Sequence, residues 1–338
     1  MKAYDFRQEP FRVFGVPFFE ETGRLERLPH WMEERLPKQF ADWNLSRRCP
    51  GARLCFRTNS REIGVRVRFA SISVDPGMSL YSCQSINVFA GRRQNARYLG
   101  LARPESYETP FLEGAFRKSD ALEDITVFLP RNEIITEIKI SLEEDALVEA
   151  PTPYRYPVPI LYYGNSVTEG ASCSKPANTY SALISRWLDA DYINFGFSGS
   201  AKGEPAMADY ICTIPQSVLV MDYDHNALDA AHLRATHEAF FRRIRERLPL
   251  LPVVMMSASN FEWLPEAAQR RRIIQDTCEA AAARGDRNVY FIDGQTLWGR
   301  EDRDACSADC LHPNDLGMYR TACALRPVME GILRGLEP

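Results

Sequence analysis

From about residue 150 onward, segments of strand character alternate with segments of helix character, and this alternation limits the possible folds more than any other feature. Val158 to Tyr163 is a short apolar run that reads as a buried strand, and a helix is expected over Thr179 to Leu188. Tyr192 to Asn194 is the next strand, followed by a loop and a helix. Ser217 to Asp222 precedes a helix over Ala230 to Leu248, and Val253 to Ser257 precedes one over Pro265 to Arg284. Val289 to Asp293 then leads through a long loop to a final helix over Leu316 to Leu333. Repeated units of this kind imply an α/β fold, a parallel sheet with helices on both faces.

The chain before residue 150 has a different texture. Ala52 to Thr58, Glu62 to Ala70, Ile86 to Ala90, Ile125 to Leu129 and Ile134 to Leu142 are strand-like and separated by Gly, Pro, Asn and Asp. Gly64 to Phe69 alternates with period two, so one face should be buried and the other wet. Such a series predicts an antiparallel, all-β sandwich. Glu21 to Leu45 is expected to be loop and short helix. Pro151, Pro153, Pro157 and Pro159 punctuate a connector that suits neither helix nor sheet. The expected division is therefore 1–150 and 151–338, and a chain of 338 residues is long enough for two cores.

Composition excludes several function classes. The net charge of −4 gives no basic surface for nucleic acid or acidic lipid. No apolar run approaches the ~18 residues of a membrane span, and Met1 to Pro10 lacks the apolar core of a secretion signal. The nine cysteines are odd in number and scattered, so reduced thiols and a cytoplasmic location are expected. Self-association stays open.

The chemistry-bearing residues fall after successive strands. Ser166 lies in Gly164-Asn165-Ser166-Val167, after the first strand. Gly199 lies in Asn194 to Ser200, after the second, and Asn226 lies in Asp222-Tyr223-Asp224-His225-Asn226, after the third. Asp309 and His312 share Asp309-Cys310-Leu311-His312 ahead of the last helix. Strand ends of a parallel sheet converge on one edge, so these distant residues can meet there. A serine hydroxyl becomes a useful nucleophile only beside a base, and an imidazole base needs a carboxylate to hold its tautomer. Histidine is scarce, five in the whole chain, so few bases compete for the role. Taken singly, each residue has a plainer reading: a turn serine, a glycine of positive φ, a capping asparagine, a histidine that starts a helix.

Other chemistries fit less well. Ser198 in Gly196-Phe197-Ser198-Gly199-Ser200 is a near miss to the Gly-x-Ser-x-Gly elbow, lacking its final glycine. Cys306, Cys310 and His312 lack a fourth ligand for zinc, so no metal and no cofactor are expected. Asp222, Asp224 and His225 read as a polar strand end before they read as a cation site. No glycine-rich nucleotide loop is present.

Over roughly residues 158–335 these motifs resemble the SGNH hydrolases, the GDSL-like esterases and lipases. The resemblance implies a flavodoxin-like three-layer hydrolase domain. It matches Ser166 to the nucleophile, His312 to the base and Asp309 to its partner. It also implies an oxyanion hole from the N–H groups of Ser166 and Gly199 and the amide of Asn226, which agrees with the need for convergent neutral donors. Gly51 to Ser60 looks like part of the jelly-roll-like β-sandwich that precedes the hydrolase domain in some bacterial carbohydrate esterases. One position departs: Asn165 stands where the family tetrad has aspartate. The expectation is a serine esterase for short acyl groups, acetyl above all, on a small-molecule or oligosaccharide ester. Its rivals are a silent carbohydrate-binding protein and a short-chain acylhydrolase for other esters.

Overall fold

The computed structural model describes residues 1–75, 77–92 and 95–337. Strands β1 (Lys2–Asp5), β2 (Arg12–Phe14), β3 (Arg53–Thr58), β4 (Glu62–Phe69) and β5 (Ile86–Ala90) belong to the first half. So do β6 (Arg97–Ala102), β7 (Phe111–Arg117), β8 (Glu123–Phe128), β9 (Ile135–Leu142) and β10 (Val148–Glu149). They form two antiparallel sheets, ordered β1-β9-β4-β7 and β10-β3-β8-β5-β6, with β2 paired to β3. Along β4, Ile63, Val65, Val67 and Phe69 are buried while Arg68 is exposed, the period-two pattern of a strand with one wet face. The buried sides of both sheets meet in one core that includes Leu54, Phe56, Val65, Val88, Leu112, Val127 and Ile140.

Five strands make the third sheet: β11 (Tyr156–Gly164), β12 (Ala190–Gly196), β13 (Val218–Asp222), β14 (Val253–Met256) and β15 (Val289–Ile292). All are parallel, in the order β12-β11-β13-β14-β15. Neighbouring residues face opposite cores. Leu161, Tyr163, Leu219, Met221, Val253 and Met255 pack on one side with the helices Pro205–Ile211, Ala230–Arg247 and Ala267–Ala283. Ile160, Tyr162, Val218, Val220, Val254 and Met256 pack on the other with Tyr180–Leu188 and Asp315–Gly335. Burial on both faces is why these strands read as continuous apolar runs.

The two halves are joined along β12. This is an edge strand, yet all of its residues are buried. Arg53 donates to the carbonyl of Tyr192 at 3.1 and 3.2 Å. Arg27 donates to the carbonyl of Asn194 at 3.4 Å and to that of Gly196. Two of the outward N–H groups are taken locally: that of Tyr192 by the Asp191 carboxylate at 2.7 Å, that of Gly196 by the Asn194 carboxamide at 2.8 Å. Both arginines are fully buried. Arg53 also pairs with Asp191, and the Arg27 guanidinium lies 4.3 Å from the centre of the Phe197 ring. Side chains of the first half thus satisfy the outward carbonyls of an edge that another strand would otherwise pair with.

Candidate active site

β11 turns at once into a short helix, Ser166–Glu169, at the C-terminal edge of the sheet. Asn165 caps it, its Oδ1 accepting from the N–H groups of Val167 at 2.7 Å and Thr168 at 3.4 Å. The turn is tight enough that a Cβ on Gly164 would collide with the Thr168 hydroxyl and the Asp222 carbonyl. Ser166 takes the first helical position, and its N–H donates to no acceptor among the described residues.

His312 comes from the loop before the last helix. Asp309 shapes that loop, accepting the N–H groups of Leu311 at 3.0 Å and His312 at 2.7 Å on Oδ1. Between them Cys310 adopts φ 64°. The other oxygen, Oδ2, accepts from His312 Nδ1 at 2.6 Å. With the proton on Nδ1, Nε2 is the acceptor, and it lies 2.9 Å from Ser166 Oγ. Partial burial disfavours charge on Asp309, but the His312 ring and the two backbone donors outweigh it and hold the carboxyl at about 2. Asp309 therefore stays ionised at any pH where a neutral imidazole exists.

Gly199 follows β12 with φ +65°. An added Cβ there would come within 3.1 Å of Trp43 Cζ3, so the left-handed turn is filled from the first half. Asn226 closes a short turn after β13 and donates its amide to the Phe197 carbonyl at 3.0 Å, which ties it to the Gly199 loop. That bond uses one of its two amide hydrogens. Gly199 N–H, like that of Ser166, has no acceptor among the described residues. The loop is braced from below: Glu169 accepts from Ser198 N at 3.1 Å and Oγ at 2.8 Å, and pairs with buried Arg131 at 3.2 Å. Ser198, the near-elbow serine, is thus bound to the Glu169 carboxylate and not to an imidazole.

The structure brings Ser166, His312 and Asp309 into one chain of hydrogen bonds, with Asn226 and the Gly199 loop fastened to each other. Asp222, Asp224 and His225 serve other ends. Asp222 accepts from Thr168 Oγ1 at 2.8 Å and Tyr180 OH at 2.9 Å. Burial lifts its carboxyl to about 7 against those two donors. Asp224 accepts from Ala258 N at 3.0 Å and from Arg270 at 3.3 Å. Two further residues escaped the sequence reading. Asn260, beyond β14, was findable by the same strand-end rule that located Asn226. Trp43, nearly half exposed beside Gly199, carries no sequence signal because its segment has neither helical nor strand periodicity.

Comparisons with known proteins bear on the family and the fold. Residues 158–330 match the model of the GDSL-like Lipase/Acylhydrolase family, and residues 1–148 match that of the N-terminus of Esterase_SGNH_hydro-type. No curated protein sequence matches the chain. Among solved structures, a GDSL-like lipase from Bacteroides ovatus is similar at TM-score 0.86 and 21% identity, covering 98% of each chain. The salicylyl-acyltransferase SsfX3 of a tetracycline biosynthetic pathway is similar at 0.80 and 22%, covering 100% of this chain and 98% of that one. A family two carbohydrate esterase from Clostridium thermocellum, in complex with cellohexaose, is similar at 0.62 and 14%, covering 85% and 94%. At these identities the likeness is one of fold, and the family rests on the matched models: the chain belongs to the GDSL-like lipase/acylhydrolase family and is an ester hydrolase.

Proposed function

We propose that this protein is a serine esterase that removes short acyl groups, acetyl above all, from carbohydrate alcohols through an acyl-enzyme. The observation that carries the reading is the unbroken chain Asp309–His312–Ser166, at 2.6 and 2.9 Å. His312 Nε2 takes the Ser166 proton as Oγ bonds to the ester carbonyl carbon. Negative charge moves onto the carbonyl oxygen, towards the N–H groups of Ser166 and Gly199 and the free amide hydrogen of Asn226. When the C–O bond to the alcohol breaks, His312 returns the proton to the departing oxygen. Water then repeats the sequence on the acyl-serine. No step calls for a cofactor.

Two observations support the substrate class. Trp43 presents an exposed indole beside Gly199, a surface suited to the apolar face of a sugar ring. The fold is also shared with family two carbohydrate esterases. In this reading residues 1–150 form the sandwich that lends Trp43 to the site, and 151–338 carry the chemistry. Ser166→Ala should lower kcat on p-nitrophenyl acetate by several orders of magnitude with the fold intact, and a fluorophosphonate should label Ser166 alone. Near-normal turnover in that variant would sink the nucleophile assignment. Acetate release from an O-acetylated sugar, and a preference for acetyl over octanoyl esters, test the substrate.

A second reading is favoured by the full-length likeness to an acyltransferase: the acyl-serine is passed to an alcohol instead of water. Product analysis with and without an added alcohol acceptor separates the two. Binding of a sugar ester with no turnover at all would favour the non-catalytic reading.

A further inference from the structure

The asparagine that breaks the family tetrad has a specific set of partners. Asn165 is fully buried, and its two ends cannot be exchanged. Oδ1 faces the helix N–H groups of Val167 and Thr168, which only donate. Nδ2 faces the Asp222 carbonyl at 2.7 Å, which only accepts, and His225 Nδ1 at 3.1 Å. That contact makes His225 Nδ1 an acceptor and puts the ring proton on Nε2. His225 Nε2 is 2.7 Å from Asn260 Oδ1, so it donates there. Asn260 must then turn its nitrogen the other way, and Nδ2 does donate to the Cys310 carbonyl at 2.9 Å. Every group in the series is used in one direction, and both ends are pinned by backbone.

We propose that Asn165, His225 and Asn260 are positioning residues, forming a one-way hydrogen-bond relay that sets His312 against Ser166. The relay closes a ring. It starts at the residue before Ser166 and ends on Cys310, two residues before His312, whose Nε2 returns to Ser166 Oγ. Cys310 holds a left-handed backbone conformation, so its carbonyl direction decides how the loop presents the imidazole. Burial pushes His225 below the usual imidazole range, against the pull of Asp224, which keeps the ring neutral as the relay requires. An aspartate at 165 would aim oxygen at both the Asp222 carbonyl and His225 Nδ1. His225 would then need a proton on Nδ1, either moved from Nε2, which takes the donor away from Asn260, or gained as a second proton, which makes the buried ring cationic. Asparagine at this position is therefore the residue that sets the polarity of the relay.

The inference rests on the reading of Ser166 and His312 as nucleophile and base, and its test separates the two. In wild-type protein carrying 15N-histidine, the His225 resonances should show a proton on Nε2 and none on Nδ1, a measurement that needs no turnover. In Asn165→Asp the proton should appear on Nδ1. His225→Leu should lower kcat on p-nitrophenyl acetate about 10- to 100-fold with KM nearly unchanged, the size expected for a misplaced reacting group. His225→Gln should recover most of that loss, because its oxygen can accept from Asn165 while its amide donates to Asn260. A wild-type proton on Nδ1 would overturn the relay, as would a folded Gln variant no faster than a folded Leu variant. If the Leu variant does not fold, the wild-type tautomer still decides, as does the Gln variant measured against wild type, where a loss of about 10-fold or more would overturn the relay. Failure of wild-type Ser166 to react with a fluorophosphonate would instead remove the nucleophile reading and leave the tautomer result standing.

Discussion

The residues of the site are held by bonds that leave specific donors idle. Ser166 and Gly199 each keep an N–H without an acceptor among the described residues, and Asn226 keeps one amide hydrogen. Idle donors at a strand edge are costly unless something else occupies them, and in the proposed mechanism that ligand is the developing oxyanion. If Asn226 donates mainly in the transition state, Asn226→Ala should lower kcat roughly 10²–10³-fold with little change in KM. Steady-state kinetics on p-nitrophenyl acetate check this, and a change confined to KM would move Asn226 into ground-state binding. Because Asn226 also holds the Phe197 carbonyl, Asn226→Asp is the informative second variant. It keeps the size of the side chain but turns an acceptor towards both that carbonyl and the oxyanion.

At the scale of elements, the site depends on how closely β11 and β13 approach beneath the serine turn. Asp222, the last residue of β13, is buried there with its carboxyl raised to about 7. The sign of the effect on stability follows from linkage. Below about pH 4 the carboxyl is protonated in both the folded and the unfolded chain. Between about 4 and 7 the unfolded chain ionises while the folded one resists, so stability falls as pH rises through that window, by on the order of 4 kcal/mol in all. Asp222→Asn should remove this part of the slope. Urea midpoints at pH 4, 5.5 and 7 should move in favour of the variant as pH rises, whereas a constant difference would mean that Asp222 is already ionised. The same packing explains which elements were legible in the sequence. β11, β13 and β14 are apolar runs because both their faces are covered, and β4 alternates because one face is wet. β6 and β7 went unread: Arg97 and Tyr98 open β6 exposed, and Gly114 interrupts β7 where a side chain would strike Ala102 and Phe116. β1, β2 and β10 are short and largely unburied, so their register comes from partners distant in sequence. Ser166 and His312 could be singled out because strand ends share an edge. The relay through Asn260 could not, because its meaning lies in the direction of hydrogen bonds.

Across the whole molecule, the first half is built into the support of the site. Arg131 follows β8 and reaches Glu169, whose other oxygen holds the Ser198–Gly199 turn. Arg131→Met should leave that carboxylate buried without its cation, at a cost of about 3–5 kcal/mol. It should also lower kcat by loosening the turn. Equilibrium unfolding and turnover, measured together, check both, and an unchanged stability would show that Glu169 does not depend on this partner. The arginines along β12 carry a further consequence. A fragment beginning near residue 151 would present an apolar strand whose outward carbonyls at Tyr192, Asn194 and Gly196 had lost their donors. A bare edge of that kind recruits strands from other molecules, so the fragment would be prone to self-assembly. The halves are therefore poor candidates for shuffling. A lineage that recombined this hydrolase with a different leading segment would have to bring two guanidinium groups to the same three carbonyls, and joint inheritance is the simpler course.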